Sequence, residues 1–348
     1  VSVGAASTAW IVPYVPSYPP SDDRKSGRTS ASAPRKPKPL DCRSPGIPSA
    51  GAHAATIAGY RQTMPLDRTR LATLLAREIE RFRDATPRSR ELYQRATGSL
   101  IGGVPMPWMM RWAGGYPLFA DHASGARIVD VDGNEYVDLC LGDTGAMAGH
   151  GPPQTVAAIA AQAARGITTM LPTEDAVWVA EELTRRFGMP RWLFTLTATD
   201  ANRAALRLCR HMTGRRKTLV YSYCYHGTVD EAFAVRDPRS GATVAREGNV
   251  GSPVDPGQTT VAVEFNDLDA LEAALATGEI ACVLAEPAMT NMGIVLPDPG
   301  YHDALRELTR RHGTLLIIDE THTFSAGPGG CTAAWGLQPD LFVIGQSI

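Results

Sequence analysis

The chain has 348 residues, a net charge of −2 and six cysteines without a CxxC pair. That length supports a large core and more than one lobe, while the near-neutral charge argues against nucleic acid or an anionic membrane as partner. No apolar run approaches the roughly 20 residues of a membrane span, and the scattered thiols point to a reduced, cytoplasmic setting with no metal site.

Residues 1–63 are rich in Ala, Ser, Pro and Gly, carry more bases than acids and show no persistent period. They read as a disordered or non-native leader with Met64 as the natural start; a basic, Ser-rich targeting peptide is the functional alternative. Leu71, Leu74, Leu75, Ile79 and Phe82 then recur at helical spacing, which predicts an amphipathic helix running to about Asp84 and stopping before Pro87. The Gly-, Pro-, Trp- and Met-rich stretch 97–118 reads as irregular chain over something apolar. RIVDV and EYVDL, flanking Asp132-Gly133-Asn134, predict a hairpin in which the glycine supplies a positive φ.

A Gly-spaced loop from Gly142 to His150 precedes expected helices at about 153–165 and 173–186. From there strands and helices alternate. Strands are expected at 194–196, 218–223, 261–265, 281–285, 315–318 and 341–344, and helices at 199–212, 268–276 and 301–312. This predicts an α/β fold, a mostly parallel sheet with helices on both faces. Residues 236–259 read as a surface excursion.

Ligands of such sheets sit at the C-terminal ends of the strands. Asp319 closes the apolar run Leu315–Ile318 there, where low-dielectric surroundings demand a cationic partner or a raised pKa. Thr197, Ala198 and Thr199 join a strand to a helix, and a helix N-terminus can hold a phosphate through its unpaired amides; simple capping by Thr199 is the plainer reading. Tyr225 could stack on a planar ligand, with His226 beside it. Glu286 and Asn291 follow the strand at 281–285, and the last strand ends in Gly345-Gln346. A metal site built from Asp319, Glu320 and His322 is a weaker alternative, because adjacent residues do not point one way.

This constellation, together with DVDGNEYVDL, Gly149-His150, Tyr225-His226-Gly227, AEP and IIDE, resembles the class III aminotransferases among the fold-type-I pyridoxal-phosphate enzymes. It is most similar to their glutamate-1-semialdehyde aminomutase branch. The resemblance runs from about Gly102 to Ile348 and implies an N-terminal helix-and-hairpin segment over 64–150 and an incomplete pyridoxal-phosphate domain over 151–348, with the C-terminal small domain missing. It implies a homodimer that moves an amino group between an amine or amino acid and a keto acid or aldehyde. Thr197, Ala198 and Thr199 fall on the phosphate loop, where Ala198 departs from the family's glycine. By the same resemblance Tyr225 stacks on the ring and Asp319 pairs with its nitrogen, which keeps the ring an electron acceptor. Thr321 lies against the other face, and Glu286 and Asn291 lie near the ring hydroxyl or the substrate. Selectivity falls to 108–116 and to Asp143-Thr144.

Gln346 is the largest departure. It stands at the position of the family's Schiff-base lysine, and an amide is neither nucleophile nor proton shuttle. The only lysine after residue 38 is Lys217, at the start of a strand. The rival reading is a non-catalytic relative that binds the cofactor or keeps only the fold and dimer interface. A dinucleotide-binding oxidoreductase lacks its GxGxxG, and an ATPase lacks its GxxxxGK[ST], since TGRRKT at 213–218 has the wrong spacing.

Overall fold

The computed structural model describes residues 9–11 and 67–346. Within 1–63 only Ala9–Ile11 is described, and it forms a strand, β1; the rest of the leader expectation lies outside the described residues. The described chain divides into two units, the smaller comprising 67–122 and 128–136 and the larger 9–11, 123–127 and 137–346.

The smaller unit contains α1 (Arg68–Ala85) and α2 (Pro87–Ala96). The helix expected to stop before Pro87 does so, and a second one begins at once, because proline is well suited to the first turn of a helix. Asp132 accepts the backbone N–H groups of Arg88 and Ser89 at 2.7 and 2.9 Å, which satisfies amides that the first turn of α2 leaves unpaired. The helix itself is as the spacing predicts, but none of its residues is buried: Leu71, Leu74 and Leu75 are exposed, and Ile79 and Phe82 are half-buried. Strands β2 (Ala120–Ser124), β3 (Arg127–Asp130) and β4 (Glu135–Val137) form a three-stranded sheet. The expected hairpin is β3–β4, turned at Gly133 with φ +85°.

Besides β1, the larger unit contains α3 (Pro153–Ala163) and α4 (Glu174–Phe187). Next come β5 (Leu193–Thr195), α5 (Ala198–Thr213), β6 (Lys217–Tyr221), β7 (Ala234–Arg236) and β8 (Thr243–Ala245). The excursion expected at 236–259 is therefore partly ordered, since β7 and β8 pair antiparallel. The unit continues through β9 (Thr260–Val263), α6 (Leu268–Ala276), β10 (Ile280–Ala285), α7 (Tyr301–Arg311) and β11 (Leu315–Asp319). It closes with α8 (Gly330–Trp335), a short helix with no periodic signal in the sequence, and β12 (Leu341–Ile344).

The main sheet has the order β5-β1-β12-β11-β10-β6-β9. Neighbours from β12 to β9 are parallel, and β1 is antiparallel to both β5 and β12. All six residues of β10 are buried, so both faces of the sheet are covered there. Helix α5 buries Ala201, Asn202, Ala205, Leu206 and Cys209 and packs against β5, β10 and β12. Among the described residues no helix is long and apolar enough to cross a membrane.

Candidate active site

Because β12, β11, β10 and β6 are parallel neighbours, the loops leaving their C-terminal ends emerge along one sheet edge. Asp319 ends β11 and is 2% exposed. Its Oδ2 accepts hydrogen bonds from Asn202 Nδ2 at 2.7 Å and from His226 Nδ1 at 2.8 Å. Its Oδ1 accepts the backbone N–H and the hydroxyl of Thr321 at 3.0 and 2.6 Å. Burial works against a charged Asp319, but the His226 contact and the Thr321 donors outweigh it and hold the carboxyl below its ordinary range. Burial likewise opposes a charged His226; the neighbouring Cys224 sulfur and the Asp319 carboxylate overcome this and hold the imidazolium well above its ordinary range. The expected demand for a cationic partner is thus met by His226.

Asn202 was not found from the sequence. It lies on α5 one turn beyond Ala198, a lone amide in a stripe of buried Ala, Leu and Cys. A fully buried polar side chain on an apolar face needs a partner, and that was the available signal.

The start of α5 corrects one expectation. Its N-cap is Thr197, not Thr199: Thr197 Oγ1 accepts the Asp200 N–H at 3.0 Å and donates to Asp200 Oδ2 at 2.8 Å. Thr199 Oγ1 instead accepts the Thr228 N–H at 3.0 Å, which ties the helix start to the loop after Tyr225-His226. The approach is close: a Cβ on Gly227, whose φ is +72°, would come within 2.1 Å of Thr199 Oγ1. Ala198, Thr321 and Gly345 also converge, since a Cβ on Gly345 would lie 3.5 Å from the methyl carbons of the other two.

Glu286, 2% exposed just after β10, accepts the Tyr225 N–H at 3.2 Å through Oε1. Its Oε2 accepts the Thr290 hydroxyl at 2.6 Å. The same hydroxyl meets His322 Nδ1 at 2.7 Å, and the His322 ring lies parallel to that of Tyr225 with centroids 5.7 Å apart. Asn291 Nδ2 donates to the Tyr223 carbonyl at 3.3 Å. Gln346 Oε1 accepts the Thr144 hydroxyl at 3.1 Å. The metal alternative finds no converging set: Asp319 turns to His226, His322 to Thr290, and Glu320 to Thr323 and the backbone N–H groups of Cys331 and Thr332 at the start of α8. Lys217 pairs with Glu279 at 2.8 Å.

All ten residues singled out from the sequence lie in the larger unit, at the ends of these strands and at the start of α5. The decisive comparison is with family sequence patterns: residues 109–348 match the family model described as Aminotransferase class-III. The chain belongs to the class III aminotransferase family.

Among class III relatives, a glutamate-1-semialdehyde 2,1-aminomutase of Chloroflexus aggregans is 40% identical over 268 residues, covering 75% of this chain and 60% of that protein. The crystal structure of a glutamate-1-semialdehyde-aminomutase from Pseudomonas aeruginosa PAO1 is similar with a TM-score of 0.78 and 53% identity, over 81% of this chain and 62% of that one. A lysine-to-alanine form of the same enzyme, solved in complex with PMP, matches equally well. An omega-transaminase from Sphaerobacter thermophilus gives a TM-score of 0.70 at 32% identity, over 74% of this chain and 60% of that one. The chain spans about three fifths of the length of these relatives. Their architecture is that of the fold-type-I pyridoxal-phosphate transaminases, and pyridoxal phosphate is the family's cofactor.

The residues present fit that cofactor on one side. A buried carboxylate at a strand end, held anionic by four donors, is the partner a pyridinium nitrogen requires. A helix N-terminus closely packed against Gly227 suits a phosphate. They do not fit covalent attachment, because Gln346 carries no amine.

Proposed function

We propose that this chain binds pyridoxal phosphate, or its amine form, noncovalently, and that the site is built for amino-group transfer between an amine or amino acid and a keto acid or aldehyde. The observation that carries this reading is Asp319, buried, anionic and fixed by Asn202, His226 and Thr321. When bound, the cofactor supplies a ring that accepts the electron pair left at the substrate's α-carbon.

The chain's own residues then have separable tasks. Asp319 holds the proton on the ring nitrogen, and His226 keeps Asp319 ionised. The first amides of α5, at Ala198 and Thr199, bind the phosphate; the Thr199 hydroxyl accepts from Thr228 and keeps its own hydrogen to donate. Tyr225, held through its backbone by Glu286, covers one ring face, and Thr321 stands at the other. Asn291 and Glu286 line the ring-hydroxyl or substrate side. Gln346 orients Thr144 and cannot take up a proton. Transamination or the intramolecular aminomutase shift is therefore strongly slowed in this chain. The retention of PMP by a lysine-to-alanine relative supports binding without a lysine. A homodimer in the cytoplasm belongs to the same reading; the described cysteines are all free thiols.

The second reading, a non-catalytic cofactor-binding or dimerising relative, is favoured by Gln346 itself. Gln346→Lys separates the two. After incubation with pyridoxal phosphate and borohydride, the variant is expected to gain the mass of a phosphopyridoxyl group at residue 346, and to turn over at least one amine of a broad panel. Trapping without turnover favours the second reading, and no trapping contradicts the first.

A further inference from the structure

The hydrogen bonds around Thr290 fix the chemistry of His322. A threonine hydroxyl has one hydrogen. Here it goes to Glu286 Oε2 at 2.6 Å, the shorter contact and the one to a carboxylate. At the second contact, 2.7 Å to His322 Nδ1, the hydroxyl can only accept, so the hydrogen lies on Nδ1. A neutral imidazole with Nδ1–H presents a lone pair at Nε2. Nε2 faces Asp143 at 3.9 Å, and the ring is held parallel to Tyr225. The next residue, Thr144, bonds Gln346 at 3.1 Å. Two consecutive residues thus touch His322 and Gln346, which puts Nε2 on the side of the site where the chain has no lysine.

The neighbouring groups are already committed. Asp319 is taken up by His226, Asn202 and Thr321, and Glu286 by Tyr225 and Thr290. We infer that His322, locked as the Nδ1–H tautomer by Glu286 and Thr290, is the proton acceptor of this site, serving amine substrates in the place that Gln346 leaves without a base. The inference rests on the cofactor-binding reading above. With the amine condensed with the bound cofactor's aldehyde and water released, Nε2 would take the α-proton, exchange it with solvent and return a proton to the same carbon; the cofactor would supply the electron acceptance, and there is no net oxidation or reduction. The imidazolium formed is balanced by Asp143 at Nε2 and by Glu286 through Thr290. Thr290 is a positioning residue.

The first test needs no cofactor. Nitrogen-15 correlation spectra of the unmodified chain are expected to show His322 as the Nδ1–H tautomer, Thr290→Ser to keep it, and Thr290→Val to release it into a mixture. The second test measures washout of deuterium from α-deuterated alanine and 1-phenylethylamine by the chain saturated with pyridoxal phosphate. His322→Phe is expected to slow washout about a hundredfold, within the range of a positioned acid–base group, while the affinity for pyridoxal phosphate changes less than about threefold. An Nε2–H tautomer in the unmodified chain, washout no faster than in buffer, or washout unchanged in His322→Phe overturns the assignment. If pyridoxal phosphate fails to bind at all, the reading beneath it fails and the assignment falls with it.

Discussion

The two ends of the candidate site are built differently. Around Asp319 the groups are buried and the carboxylate is fully engaged: Asn202, His226 and Thr321 place four donors on it, while Asn202 Oδ1 and His226 Nε2 are buried without a partner, and the backbone of β11 is regular strand. Around Gln346 the backbone is held in the left-handed region at Asp143 (φ +56°), Thr144 (φ +71°) and Gln346 itself (φ +59°). Non-glycine residues rarely take that conformation, least of all a β-branched one such as Thr144. Asp143 is exposed, and one neutral hydrogen bond joins Thr144 to Gln346. On the proposed reading the comparison separates holding a cofactor from reacting with it: the holding half is tightly built, and the reacting half carries no amine.

The largest effect should come from attacking the tightly built half. Asp319→Ala leaves a fully buried His226 without its counter-charge, and breaking such a pair costs about 3–5 kcal/mol. Urea unfolding should show that loss, and pyridoxal-phosphate binding should disappear with it; a variant that keeps both would erase the contrast between the two ends.

A smaller effect is expected from pH. Asp319 is lowered from 3.8, so its contribution is present above that value and lost as pH falls through the still lower folded one. His226 is raised from 6.5, so its contribution is complete below that value and lost as pH rises through the folded one. The pair therefore stabilises fully between 3.8 and 6.5 and fades on the alkaline side. Unfolding free energies measured from about pH 5 to about pH 10 should decline in the unmodified chain, and His226→Gln should flatten that decline. An unchanged slope in the variant would assign the pH dependence elsewhere.

The smallest effect belongs to the other end. Gln346→Ala removes one partly exposed, neutral hydrogen bond, so stability should fall by about 1 kcal/mol or less. Cofactor affinity by absorbance titration should stay within about threefold. A large loss in either would show that Gln346 takes part in holding the cofactor.

How far the sequence disclosed this arrangement depended on whether the signal was local. Strand runs such as Ile280–Ala285 and Leu341–Ile344 are continuous apolar segments, and the parallel sheet was legible from their alternation with helices. Asp319, Thr199, Tyr225 and Gln346 stood at strand ends or at a helix start, so their neighbourhood was legible too. Pairings across long stretches of chain were not: Asn202 with Asp319 spans 117 positions, and Thr144 with Gln346 spans 202. The Glu286–Thr290–His322 chain was missed because Thr290 reads as an ordinary loop residue. Capping at α5 was misassigned by two residues because both Thr197 and Thr199 suit the role, and only the Asp200 contact distinguishes them. The Leu71, Leu74 and Leu75 period marked a helix correctly, while their exposure among the described residues is not something the period discloses.

The most direct measurement is an absorbance titration of the purified, unmodified chain with pyridoxal phosphate, and then borohydride treatment and mass spectrometry. The account predicts a saturable spectral shift with no added mass, because Asp319 and the start of α5 bind the cofactor and Gln346 cannot attach it. The absence of a saturable shift, or a phosphopyridoxyl adduct on this chain, would contradict it.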